Sequence, residues 1–168
     1  KTFFFKTHNA LCKINNNRFT DQRNTLAAIY IIRDPRNVIT SIASHYQISK
    51  QDALNFMKDK NRGIFERENN RYLGFQPLFS WNLHVKSWTE NVLYPTLTIR
   101  YEDLISDTNS TFEKVLRFIK RVTNTKNDID LEKIKICVKN CDFLNLKKME
   151  KEVGFDESMV NKKTGERI

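Results

Sequence analysis

The stretch Ala28-Ile-Tyr-Ile-Ile-Arg-Asp-Pro-Arg-Asn-Val-Ile-Thr-Ser-Ile-Ala-Ser-His-Tyr46 changes its periodicity at a single residue. Residues 27–32 are a short, nearly continuous apolar run, as expected of a strand covered on both faces of a parallel sheet. From Asp34 onward the pattern is helical: Asp34 suits an N-cap, Pro35 suits the first helical position, and Ile39, Ile42, Ala43 and Tyr46 recur at i, i+3, i+4 and i+7. Ser41 falls on the opposite, polar side with Asn37. A strand that turns straight into a helix places Arg33 at the strand's carboxyl end, which is where open α/β sheets bind their ligands.

Two further runs resemble the first. Residues 2–7 (Thr-Phe-Phe-Phe-Lys-Thr) and Thr96-Leu-Thr-Ile-Arg-Tyr101, after Pro95, read as strands. Three strands separated by helical stretches predict an α/β fold, a parallel β-sheet flanked by helices. Between them, Ser49-Lys-Gln-Asp52 predicts a capped helix carrying Ala53, Phe56 and Met57. Residues 61–76 hold Gly63, Gly74, several arginines and an Asn pair, a composition that predicts a surface loop or mobile lid. Leu78, Trp81, Val85, Trp88 and Val92 keep three-four spacing and predict a helix whose tryptophans are core. Phe112, Val115, Leu116 and Ile119 mark another helix. A polar break at Asn124–Asp128 precedes shorter helices around Leu131–Val138 and Phe143–Lys151.

Composition bounds the rest. The chain has 168 residues, enough for one domain (residues 1–168) with a buried core. It opens on Lys1-Thr-Phe-Phe-Phe-Lys6 inside an expected strand, which predicts a piece of a longer protein, truncated at both ends. No apolar run reaches the roughly eighteen residues of a membrane span, so no membrane partner is expected. Cys12, Cys137 and Cys141 are an odd count, which predicts reduced thiols and a cytoplasmic location; no histidine lies near Cys137 and Cys141 to complete a zinc set, and no metal is implied. Lysine and arginine outnumber aspartate and glutamate by 29 to 20, and the net charge of +9 favours phosphorylated or polyanionic ligands.

At the strand ends the chemistry concentrates. Arg33 beside a helix N-terminus makes a phosphate site, from a guanidinium fork, free backbone N–H groups and a partial positive charge. The plainer alternative is a surface ion pair for Arg33 and a merely solvated Ser41. Lys6 and His8, at i and i+2, share one side of a strand. A neutral His8 could take a proton from a hydroxyl while Lys6 stabilises charge on a leaving oxygen; a structural or solvated histidine is the competing reading. Tyr101 could stack on a purine or be a core residue with its hydroxyl at the rim. Glu102 and Asp103 read as structural.

Taken together in sequence order, these segments resemble one family. Lys6-Thr-His8 is similar to the Lys-Thr-His motif of sulfotransferases that use 3′-phosphoadenosine 5′-phosphosulfate (PAPS), which have a P-loop NTPase-like α/β fold. Arg33-Asp-Pro-Arg-Asn-Val-Ile-Thr-Ser41 resembles their 3′-phosphate motif and Tyr101-Glu-Asp-Leu104 their Tyr-Glu-Asp-Leu segment. Ser80-Trp-Asn-Leu-His-Val-Lys-Ser-Trp88 resembles the helix between. The likeness runs from Lys6 to about Asp156. It implies that Arg33 and Ser41 bind the 3′-phosphate, Tyr101 contacts adenine, His8 is the base and Lys6 steadies the transferring sulfuryl group. Cys141-Asp-Phe143 stands where the family often has Thr-Ser-Phe beside adenine, so Cys141 and Phe143 are candidates there.

The implied reaction carries a sulfuryl group from PAPS to a hydroxyl or amine of a small-molecule acceptor, with adenosine 3′,5′-bisphosphate (PAP) as product and no nucleic-acid partner. Oligomeric state is left open. The family's amino-terminal 5′-phosphosulfate loop has no counterpart in residues 1–168, and Lys162-Lys-Thr-Gly165 at most approaches its carboxyl-terminal glycine loop. Two alternatives stand beside this reading: a nucleotide kinase of related fold, which needs a Gly-Lys-[Ser/Thr] loop, and a basic nucleic-acid-binding module, which accounts for the charge but not the strand-end motifs. Phe65, Tyr72 and Phe75 are candidates for an acceptor-pocket wall.

Overall fold

The computed structural model describes residues 2–68, 71–154 and 164–165. At its centre, β3 (Ala28–Ile32) pairs in parallel with β6 (Thr96–Arg100), in the register Ala28↔Thr96 to Ile32↔Arg100. Parallel neighbours need a long crossover, and here it comprises α1 (Pro35–Tyr46), α2 (Lys50–Lys58), β4 (Gly63–Glu68), β5 (Arg71–Pro77) and α3 (Trp81–Thr89). After β6 come α4 (Tyr101–Ser106), α5 (Thr108–Thr123), α6 (Leu131–Asn140) and α7 (Phe143–Val153). The α/β class expected from the strand-to-helix junctions is the one observed.

Local chemistry fixes most boundaries. The Asp34 carboxylate accepts from Arg36 N–H and Pro35 occupies the first turn, so α1 starts where the sequence indicated. Ser49 caps α2 through Asp52 N–H, and its hydroxyl returns a hydrogen bond to Asp52 Oδ2 at 2.7 Å. Asp107, Asp130 and Asp142 cap α5, α6 and α7 in the same way. Helix α1 ends on Gln47 in the left-handed region (φ 53°), and Ile48 N–H reaches back to Ala43 O. Tyr46 stacks on Phe56 with centroids 5.4 Å apart, joining α1 to α2.

Three expectations fail. The Phe3-Phe4-Phe5 run forms no ladder among the described residues, and its rings are 63%, 74% and 89% exposed. Apolar continuity marks a segment's capacity for a buried strand; without a neighbouring strand among the described residues to complete the ladder, the rings stay open to solvent. Where a loop or lid was expected, Gly63–Glu68 pairs antiparallel with Arg71–Pro77, with Phe65 opposite Phe75 and their rings stacked at 4.9 Å. A Cβ at Gly63 would meet the Phe75 ring, which would have to shift. The Asn pair falls outside the described residues, as does the side chain of Tyr72. The helix expected from Leu78 to Val92 spans only Trp81–Thr89, with Val92 exposed beyond it, and of its two tryptophans Trp88 is buried as expected while Trp81 is half-buried.

One small element gave no signal at all in the periodicity. Lys13–Ile14 (β1) and Asn17–Arg18 (β2) form a tight hairpin whose two turn residues, Asn15 and Asn16, both have positive φ (47° and 65°). Asparagine tolerates that region, so the Asn-Asn pair is the legible cause.

Candidate functional site

The site is assembled where β3 and β6 end side by side. Arg33 leaves β3 half-buried, and its guanidinium carbon lies 4.5 Å from the centroid of the Tyr101 ring, in cation–π geometry. Tyr101 is the first residue of α4. The next residue, Glu102, accepts a hydrogen bond from Asp34 N–H at 2.9 Å and sits 3.8 Å from Arg100. One turn at the end of β6 therefore holds both residues that follow β3, the arginine by its plane and the aspartate by its backbone. Glu102 is structural, as the sequence suggested. Its carboxyl is held below the ordinary range mainly by the Asp34 N–H bond.

The two arginines of the turn are used differently. Arg36 grips Asp34 through Nε at 3.0 and 3.1 Å and Nη2 at 2.5 Å, and this fork lowers the Asp34 carboxyl to about 2. That charge is spent on its neighbour. Arg33, by contrast, pairs with no carboxylate among the described residues, and its Nε is buried with no hydrogen-bond partner. A buried, unmatched guanidinium N–H is costly unless an acceptor reaches it. The ion-pair alternative for Arg33 is not what the structure contains.

The second wall is the segment around His8. It has no regular secondary structure, yet its backbone is pinned repeatedly. His8 N–H donates to Gln76 Oε1 (3.3 Å), Ala10 N–H to Pro77 O (2.8 Å) and Leu11 N–H to Ser87 Oγ (3.0 Å). The carbonyls of His8 and Asn9 accept from two rings of α3, His84 Nε2 at 3.1 Å and Trp88 Nε1 at 3.0 Å. The imidazole of His8 is exposed.

Lys6, His8, Tyr30, Arg33 and His84 line one cavity of about 1520 Å³. The structure thus brings Lys6, His8 and Arg33 to a common space. Ser41 is exposed on α1, two turns beyond Arg33, and does not line that cavity; Tyr101 meets it through Arg33. Cys141 ends α6, its N–H bound to Cys137 O, and Phe143 opens α7 with 75% of its surface exposed. Neither lines the cavity. Phe65 lines a separate space of about 760 Å³ with Tyr46 and Phe56. Lys162 and Lys163 lie outside the described residues.

Sequence reasoning missed two participants. The support of Arg33 by the Tyr101 ring was not foreseen, because Tyr101 read as an adenine contact. Tyr30 and His84 were given no role, although His84 lies within the Ser80–Trp88 segment that resembles the family's helix.

With this geometry in place, comparison with known proteins gives the class. The sequence model of the sulfotransferase domain matches residues 2–164, and the chain belongs to that family. It is similar to the 3-alpha-hydroxysteroid sulfotransferase of Cavia porcellus, 32% identical over 111 residues, which cover 62% of this chain and 35% of that protein. The aligned part thus spans about a third of the relative's length.

Proposed function

We propose that this chain contributes the donor-nucleotide and acceptor-activating parts of a sulfotransferase that moves a sulfuryl group from PAPS to a hydroxyl or amine of a small-molecule acceptor. The observation that carries the reading is Arg33: a guanidinium held over the Tyr101 ring, unpaired by any carboxylate among the described residues, with a buried Nε donor that has no acceptor among them. A phosphate oxygen satisfies that donor. The N-terminus of α1 adds its partial positive charge, and the overall +9 supports anion binding.

In this reading Arg33 and Ser41 hold the 3′-phosphate, Ser41 from the exposed side of α1. Tyr101 fixes the arginine plane and meets the adenine edge, with Phe143 and Cys141 on the adenine side. His8 accepts the acceptor's proton, and Lys6, two residues earlier, stabilises charge that develops on the leaving oxygen. The bound donor supplies the activated sulfuryl group, and the protein's part is positioning and electrostatics. The product nucleotide is PAP. The family match favours this reading over a nucleotide kinase or a nucleic-acid-binding module. Three cysteines without disulfides favour a cytoplasmic setting. The stacked hairpin rings Phe65 and Phe75 remain the candidate acceptor wall, although neither lines the cavity of Lys6, His8 and Arg33.

The test is transfer of labelled sulfuryl from PAPS to a panel of phenols, alcohols and amines by the full-length protein. PAP should compete with PAPS far better than adenosine 5′-monophosphate does. Equal competition by the two nucleotides would remove Arg33 and Ser41 from their role.

A further inference from the structure

The cavity's least expected feature is the pair of rings that ties β3 to the His8 segment. His84 Nε2 lies 3.1 Å from the His8 carbonyl oxygen, and His84 Nδ1 lies 3.0 Å from the Tyr30 hydroxyl. A carbonyl oxygen only accepts, so Nε2 must carry a proton. In a neutral imidazole Nδ1 is then an acceptor, and the Tyr30 hydroxyl donates to it. Burial favours this neutral form and likewise keeps the Tyr30 phenol protonated, its pKa pushed up to about 12. Both hydrogen bonds are satisfied by one tautomer.

The tie is mechanically stiff. The Tyr30 ring is stacked between neighbours, 5.7 Å from His84 and 5.9 Å from Trp88 between centroids. Trp88 stands one helical turn after His84 and holds the next carbonyl, that of Asn9. A segment that belongs to no sheet ladder among the described residues is therefore held to α3 by two ring N–H groups, and through His84 and the Tyr30 hydroxyl to β3.

We propose that His84 is a positioning residue for His8. As the neutral Nε2–H tautomer, bound on its other side by Tyr30, it fixes the backbone at residue 8 and so the place from which the His8 imidazole meets the acceptor. The inference rests on the reading of His8 as the base. A displacement of about 1 Å at a reacting group costs on the order of a hundredfold in rate, so loss of the tie should appear in kcat.

Three variants of the full-length protein test it. His84→Phe keeps a flat ring but removes both hydrogen bonds; kcat should fall by about a hundredfold, while the KM for PAPS and the affinity for PAP stay within twofold. His84→Gln restores an N–H near the Nε2 position and should recover most of kcat. Tyr30→Phe removes only the hydroxyl and should lower kcat less, with an effect that vanishes in the His84→Phe background. If His84→Phe fails to fold, imidazole nitrogen NMR of the unsubstituted protein decides: an Nε2–H tautomer at His84 supports the proposal and an Nδ1–H tautomer overturns it.

A kcat for His84→Phe within twofold of the unsubstituted protein also overturns it, as does a loss shared equally by PAP affinity. His8→Ala separates the layers. If it abolishes turnover and His84→Phe does not, only the positioning role is lost; if His8→Ala retains turnover, the base assignment and the inference fall together.

Discussion

Replacing Arg33 by alanine probes the site at the residue where binding and stability pull in opposite directions. In the free protein two terms oppose each other. Removing the guanidinium forfeits its contact with the Tyr101 ring, worth about 0.5–2 kcal/mol. The same change abolishes a buried, unpartnered Nε–H, which relieves about 1–3 kcal/mol. The sum is near zero, so the thermal midpoint of the ligand-free protein should move by less than about 5 °C. Binding has no such compensation. A hydrogen bond to a charged group is worth about 1.5–3 kcal/mol, so affinity for PAP should fall by about tenfold to a hundred-and-fiftyfold. Adenosine 5′-monophosphate, which has no 3′-phosphate, should bind both proteins alike. Calorimetric titration of the two nucleotides into each protein, beside melting curves without ligand, measures every term. Arg33→Lys sharpens the contrast, because it keeps the charge and loses the fork and the Nε donor. A parallel loss for both nucleotides, or a melting point lowered by ten degrees or more, would refute the reasoning.

Other expectations follow from single contacts. Ser41→Ala removes one neutral donor from an exposed position, so PAP affinity should drop by about twofold to tenfold with no change in melting temperature, and a loss above a hundredfold would require another role for the serine. Gly63→Ala places a methyl against the Phe75 ring and should cost about 0.5–1.5 kcal/mol through the lost Phe65–Phe75 stack; denaturant unfolding checks it, and a stabilised variant would contradict the packing. The Asp34 carboxyl titrates at about 2 in the fold against an ordinary 3.8, so its contribution is present above 3.8 and is lost as pH falls toward 2. Asp34→Asn should therefore lower the melting temperature at neutral pH and flatten its fall across that acid window; identical slopes would show that the Arg36 fork does not stabilise the fold.

How much of this was legible varied with the range of the interaction. The boundaries of the β3-to-α1 junction could be read: an apolar run, an aspartate and a proline act on their immediate neighbours, and Asp34 caps α1 as its side chain dictates. The expected cover on both faces of β3 is not observed, since Ile29 and Ile31 are exposed, and which face is covered depends on elements remote in sequence. Arg33 was found by its position at a strand end; Lys6 and His8 were placed at the end of a strand that does not form among the described residues, and the three nonetheless line one cavity. The hairpin at residues 63–77 was misread because glycines, arginines and asparagines suggested a loop, and the pairing of Phe65 with Phe75 is visible only once the two halves face each other. Phe3, Phe4 and Phe5 were misread for the opposite reason: their pattern suits a strand, and a strand exists only with a neighbour to bond.

By itself, then, the order of residues determined the helices and their caps, the α/β alternation and the place of the Arg33 turn at the end of β3, all of which depend on side chains within a turn or two of one another. Tertiary structure decided which arginine is neutralised and which is left with an orphaned donor. It also decided that Tyr101 supports Arg33, and that His84 joins Tyr30 to His8 across 54 and 76 residues of chain. Those contacts depend on how whole elements pack, and no local periodicity encodes the distance between two elements.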